Sequence, residues 1–230
     1  MDWTAAIDIY CERTSAGFWA EPVNAWSNLA FPAAALWVAV AARRRGGATP
    51  AFWALAVLAA LVGAGSFLFH TFGNVWSEYA DTIPIWTFVA ATLFVAATRV
   101  AGLRPHPAGA AGLVAAVVLI VTFLAATDPH PAVPPPPDPL NGSLQYAPAL
   151  IALATVAAFA WSRRLPIASL LLAATLVFLA ALVFRTIDMA VCATFPLGTH
   201  FLWHLLNGLT VGLILTAMLA TDPGQCRVRS

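Results

Sequence analysis

The chain has 230 residues, of which 61% are hydrophobic and only 9% charged. A soluble domain carries about 25% charged residues, so this composition excludes a soluble globular domain and implies a surface that meets lipid. The net charge of +1 offers no basic face to neutralise phosphates, which argues against a nucleic-acid partner.

Residues 1–22 form a short acidic segment. Met1-Asp2-Trp3 lacks a positive n-region, and Asp2, Asp8, Glu12, Arg13 and Glu21 interrupt any early apolar run. The segment therefore does not read as a signal peptide, and the membrane anchors are expected to be the helices themselves. A helix needs about 20 apolar residues to cross the hydrocarbon core, and seven stretches free of Asp, Glu and Arg meet that need, at about 23–42, 51–71, 82–98, 108–126, 144–162, 165–184 and 198–220. The fourth is Gly/Ala-rich and the fifth Ala-rich, as suits close packing between lipid-embedded helices. The predicted fold is all-α: a single integral-membrane domain over residues 1–230, built as a seven-transmembrane helix bundle. The connection 127–142 carries the run Pro134 to Pro137 and reads as an extended surface segment.

The loops predict orientation. Lys is absent, and all 11 cations are Arg. Arg43, Arg44, Arg45, Arg99, Arg104, Arg163, Arg164, Arg227 and Arg229 all fall on one side of the predicted spans. The positive-inside rule makes that side cytoplasmic. The N-terminus then lies outside and the C-terminus inside, which requires an odd number of spans. Asp222 is the one acid on the inner side; Asp2, Asp8, Glu12, Glu21, Glu78, Asp81, Asp128, Asp138 and Asp188 fall outside.

Ionisable residues inside or bordering a span are expensive to keep and are functional candidates by default. His200 and His204 stand four apart at the outer start of the last predicted span, so they share a helix face. His70 lies at the outer end of the second span, at matching depth. Three neutral imidazoles with an open fourth position make a catalytic zinc site, and bound zinc lowers the pKa of its water to about 7. Ser66, four residues before His70, shares that face and is a candidate donor to an oxyanion; as a helix hydroxyl it can equally bond its own backbone. Asp81 begins the third predicted span, either as a proton acceptor or as a helix N-cap followed by Thr82 and Pro84. Asp8, Glu12 and Glu21 are hard oxygen ligands of the kind that suit Ca²⁺, or else a solvated acidic lead-in. Cys11 and Cys192 both fall outside, compatible with a disulfide in an oxidising compartment or with two free thiols.

The motifs resemble those of the alkaline ceramidases. Asp8-Ile9-Tyr10-Cys11-Glu12-Arg13, Trp19-Ala20-Glu21-Pro22-Val23-Asn24 and Ser27-Asn28 are similar to the family's N-terminal signature. Gly65-Ser66-Phe67-Leu68-Phe69-His70 with Asp81-Thr82-Ile83-Pro84 resembles its second motif, and Thr199-His200-Phe201-Leu202-Trp203-His204 its last. The family belongs to a superfamily of seven-helix membrane proteins that includes the progestin and adiponectin receptors. The resemblance implies zinc on His70, His200 and His204, catalytic roles for Ser66 and Asp81, calcium on Asp8, Glu12 and Glu21, and a Cys11–Cys192 disulfide. Three departures touch the calcium set. Thr14 stands where the family has an Asn ligand, the spacing from Cys11 to Glu21 is shorter, and Asp8 is followed by Ile9-Tyr10 rather than by Trp. The short loops resemble bacterial members, which implies a bacterial inner membrane with the site in its periplasmic half. The implied activity is hydrolysis of the N-acyl bond of ceramide or a related N-acyl lipid within the bilayer. The alternatives are a lipid-sensing receptor or transport protein on the same fold, a serine hydrolase using Ser66, and a haem protein.

Overall fold

The computed structural model describes residues 2–104, 109, 112 and 138–226. The fourth predicted span, apart from two isolated glycines, lies outside the described residues, as do Asp128, Pro134 to Pro137, Arg227 and Arg229. The described elements are α1 (Pro22–Ser27), α2 (Ala30–Arg44), α3 (Pro50–Phe72), α4 (Val75–Arg99), a 3-10 turn (Ser143–Tyr146), α5 (Ala147–Ser162), α6 (Ala168–Val191), α7 (His200–Ala220) and a final turn, Pro223–Cys226. Six helical stretches are long and apolar enough to cross a membrane: Pro22–Arg44, Pro50–Phe72, Val75–Arg99, Ser143–Ser162, Ala168–Val191 and His200–Ala220. Among the described residues there is no β-strand beyond an isolated bridge between Ala6 and Asn74.

Two boundaries differ from the sequence reading in ways that matter. The first span is broken after Ser27, so a one-and-a-half-turn helix precedes the long α2. The third span begins at Val75, not at 82. Asn74 is its N-cap, with a reciprocal capping box: Asn74 Oδ1 accepts from Ser77 N at 3.3 Å, and Ser77 Oγ accepts from Asn74 N at 3.1 Å. Asp81 is thus not the cap but a residue nearly two turns inside α4. Glu78 and Asp81 look too polar for a membrane helix until their surroundings are seen.

Helix α7 is the central element and packs against α1, α2, α3, α4 and α6. Small residues let the backbones approach. A Cβ on Gly208 would sit 2.5 Å from Ala30 Cβ, so α7 meets α2 with no room for a side chain, the usual device of lipid-embedded helices. Far from the histidines, Arg99 Nη1 pairs with Asp222 Oδ2 at 2.9 Å while Thr49 Oγ1 donates to the same oxygen at 2.7 Å. That knot ties the ends of α4 and α7 to the start of α3.

The approach of α3 to α4 positions the chemistry. Pro84 lies inside α4 and has no N–H to give to the Ala80 carbonyl one turn back. That carbonyl points at Gly65 of α3, where an added Cβ would sit 2.0 Å from it. Proline frees the oxygen and glycine makes the space, so Ser66 and Asp81 become neighbours. Gly65→Ala is expected to destabilise the protein by about 1–3 kcal/mol through overpacking, read as a lower melting temperature in detergent; an unchanged melting temperature would show that α3 and α4 separate freely.

Candidate metal centre

His70 lies in the last turn of α3, His200 opens α7, and His204 follows one turn later. The three side chains are about 1% exposed, and each offers a nitrogen within 4.8 Å of the others. This is the one His/Cys/Asp/Glu group among the described residues arranged to hold a metal ion. The rings are oriented from behind. His70 Nδ1 contacts Glu21 Oε2 at 2.6 Å, and His204 Nδ1 contacts Ser27 Oγ at 2.7 Å. Each contact engages Nδ1 and leaves Nε2 to face the centre, the outer arrangement typical of metal-binding histidines. The His200 ring is stacked on Tyr10 with centroids 3.6 Å apart, and its Nδ1 is buried without a partner among the described residues. An orphaned imidazole nitrogen inside a three-histidine cluster is what a metal ion would satisfy, so the residues fit a metal.

Asp188 fixes the position of His200. Its Oδ1 accepts from Thr199 N at 2.6 Å and His200 N at 2.9 Å, and its Oδ2 accepts from Cys11 N at 3.1 Å. A carboxylate at a helix N-terminus satisfies otherwise orphaned amides and complements the helix dipole. Asp81 and Ser66 reach the same place from α4 and α3. The Ser66 side chain interacts with the Asp81 carboxyl, and His70 lies close enough to act on it electrostatically; Asp81 Oδ1 is buried with no hydrogen-bond partner among the described residues.

The candidate calcium ligands Asp8, Glu12, Glu21 and Thr14 all lie before Pro22, the first residue of α1. Asp8 and Thr14 are exposed. Both Glu12 oxygens accept backbone amides, from Val23 at 2.7 Å and Asn24 at 2.8 Å. Burial still raises the Glu12 carboxyl above its ordinary value, against the pull of those two donors. Glu21 Oε1 is ion-paired with Arg13 Nε, while its Oε2 also accepts Asn24 Nδ2 at 3.0 Å. Burial pushes the Glu21 carboxyl up, but His70 and Arg13 outweigh it and hold it below the ordinary range. The cation that Glu21 faces is the Arg13 guanidinium, which also donates to the His70 carbonyl at 3.2 Å. Gly73 is required beside it: its φ is +55°, and a Cβ there would meet the guanidinium carbon at 2.3 Å. Cys11 and Cys192 come together with Cα atoms 5.4 Å apart, within the range a disulfide needs.

Several members of this constellation carry no sequence signal of their own. Ser27 to His204 and Cys11 to Asp188 both span 177 positions. Arg13, Tyr10 and Arg185 likewise acquire meaning only from the fold. Beside the centre, sharing α7 with it, lies an apolar cavity. It is walled by Ile85, Phe88 and Val89 of α4, Ala149 and Leu153 of α5, and Trp203, Asn207 and Thr210 of α7. Such a space suits a hydrocarbon chain with few polar contacts.

Glu21→Gln should lower metal affinity by about 10–100-fold, as losses of a carboxylate behind a histidine ligand do; competition with a chelator measures it, and unaltered affinity would mean that Glu21 does not orient His70.

No curated protein matches the chain. The ceramidase family model matches residues 2–225, which takes in all three histidines, Ser66, Asp81 and the N-terminal segment that backs them. With that match over a helical membrane scaffold, the chain belongs to the ceramidase family and is an amide-bond hydrolase.

Proposed function

We propose that this chain is a zinc-dependent amidase that cleaves the N-acyl bond of ceramide or a related N-acyl lipid, releasing a fatty acid and a sphingoid base or amine. The observation that carries the reading is the meeting of His70, His200 and His204, with Ser66 and Asp81 beside His70, on a helix whose next face walls an apolar cavity. Three imidazoles leave a fourth position open for water or substrate. Zinc, when bound there, supplies a Lewis acid and hydroxide near neutrality.

The chain's own groups supply the rest. The acyl chain lies along the cavity, which brings the amide to the histidine end. Asp81 takes the proton from the attacking water at its unpartnered Oδ1 and passes it to the departing nitrogen. Ser66 donates its hydroxyl to the oxygen of the tetrahedral intermediate. One C–O bond forms and the C–N bond breaks, and the proton leaves with the amine. The N-terminal segment backs the site: Glu21 and Ser27 hold two ligand rings, and the proposed Cys11–Cys192 disulfide ties the segment to the end of α6. Calcium is proposed on Asp8, Glu12, Glu21 and Thr14, beside the Arg13–Glu21 ion pair. In the membrane the chain is proposed to cross seven times, with 108–126 as the further span, its N-terminus outside and its C-terminus cytoplasmic. That places the site in the periplasmic half of a bacterial inner membrane.

Metal content of the purified wild type beside His200→Ala and His204→Ala tests the centre. About one zinc per chain, lost in both variants, is the expected result; unchanged zinc in the variants would overturn it. Ser66→Ala and Asp81→Asn are expected to keep the metal and lose fatty-acid release by about 10²–10³-fold, the range seen when an oxyanion donor or proton-transfer group is removed. Wild-type turnover in either variant would remove that residue from the mechanism, and bound zinc with no turnover of any N-acyl lipid would favour a receptor.

A further inference from the structure

Arg185 is the cation the mechanism does not use. It lies in the membrane-spanning helix α6 and is 4% exposed. Among the described residues no carboxylate lies within 4.0 Å of it, although Arg13 and Arg99 each have one. Asp81 acts on it electrostatically from beyond that distance, and a buried charge without an adjacent counter-charge is expensive to hold in a membrane protein. Its hydrogen bonds do not account for it. Nη1 donates to the Asn141 carbonyl and to Ser143 Oγ, the latter at 3.3 Å, and the guanidinium also hydrogen-bonds the Tyr10 and Tyr146 hydroxyls, but all of these acceptors are neutral and Nε is buried with no partner among the described residues. A guanidinium carries five N–H donors in a fork that matches carboxylate or phosphate oxygens.

Its surroundings say where such an anion would sit. The guanidinium carbon stands over the Tyr146 ring at 5.3 Å and the Trp203 ring at 5.9 Å, and both rings also wall the apolar cavity. Trp203 adjoins the ligand His204 in the chain. Tyr10, which stacks on His200, interacts with Arg185 from the other side. The guanidinium therefore adjoins two rings that wall the cavity and the ring that stacks on His200.

We infer that Arg185 is an anion subsite that recognises a carboxylate or phosphate oxygen on the headgroup of the N-acyl lipid, so that the substrate class is acidic N-acyl lipids rather than neutral ceramide alone. This rests on the amidase reading for the word substrate; the anion site itself does not. N-dodecanoylglycine and N-dodecanoylethanolamine differ in a carboxylate against a hydroxyl at equal length, which isolates the charge. Their dissociation constants are measured by isothermal titration on Asp81→Asn, which holds the lipids uncleaved, with and without Arg185→Gln. The expected result is at least about tenfold tighter binding of the acylglycine, as a charge-assisted fork provides, falling to near equality in Arg185→Gln. Arg185→Lys keeps the charge without the fork and should retain part of the preference.

Equal binding of the two lipids, or a preference that survives Arg185→Gln, overturns the subsite. Dodecanoate, the acid released from either lipid, separates the two sources of a carboxylate. Arg185-dependent dodecanoate binding with no acylglycine preference assigns the guanidinium to the product and overturns the headgroup assignment. Hydrolysis by the wild type is scored separately. A preserved preference with no dodecanoate released sinks the amidase reading and leaves the anion subsite standing, whereas release with no preference does the reverse.

Discussion

The Glu21 carboxylate is the joint on which the metal-binding end depends. One oxygen is ion-paired with Arg13, and the other takes His70 Nδ1 at 2.6 Å and Asn24 Nδ2 at 3.0 Å. The residue is 2% exposed, and a carboxylate so deeply buried is tolerable only when paired and hydrogen-bonded. Every partner lies on a different piece of chain: Arg13 in the N-terminal segment, Asn24 in α1, His70 at the end of α3. Losing Arg13 leaves an uncompensated charge, and losing either of the others leaves a buried oxygen short of a donor, so the network resists piecemeal distortion. The His70 ring is held in one orientation because everything around Glu21 is.

A lipid environment explains why such networks crowd one end of the bundle. Polar groups facing hydrocarbon must find partners within the protein, and a cluster that supplies its own partners is the least costly way to keep several of them. Asp188 works on the other side of the centre as Glu21 does on this one. Its three backbone donors come from Cys11 and from the start of α7, so His200 is placed by its main chain as well as by Tyr10 stacked on its ring. Two carboxylates, each absorbed by protein donors, hold the N-terminal segment against α3 and α7. Helix propensity alone would leave that segment loose, since it contains no helix before Pro22.

The spans were readable because a membrane imposes a length and a composition on each of them, and six appear near the predicted positions. The three histidines were readable because i and i+4 share a helix face and because the arginine bias set His70 at the same depth. The start of α4 was misread because Glu78 and Asp81 suggest a loop to any rule based on polarity; the capping box at Asn74 and Ser77 outweighs that signal. The break after Ser27 was also invisible to a rule that asks only for the absence of Asp, Glu and Arg, although Ser27 contacts His204 there. The residues behind the ligands could not be read from spacing. Their contacts join positions far apart in the chain, and an Arg next to an acid is ordinary until the fold pairs it with Glu21 behind His70.

Helix α7 shows how a single sequence pattern serves both halves of the reaction. His200 and His204 form one stripe, directed at the metal centre. Trp203, Asn207, Thr210, Ile214 and Met218 form the next stripe round and wall the cavity. Adjacent residues on a helix differ by about 100° in direction, a consequence of 3.6 residues per turn, so Trp203 and His204 turn to neighbouring faces of the same turn. The junction of the stripes is the point at which a hydrocarbon chain must give way to a reacting amide. The acyl chain of a lipid can then stay among apolar side chains while its amide reaches the histidines. Moving the histidines one residue along α7 would keep the i,i+4 pair intact yet aim it away from His70. The register between the stripes, more than the presence of three histidines, is therefore what couples lipid binding to chemistry in this fold.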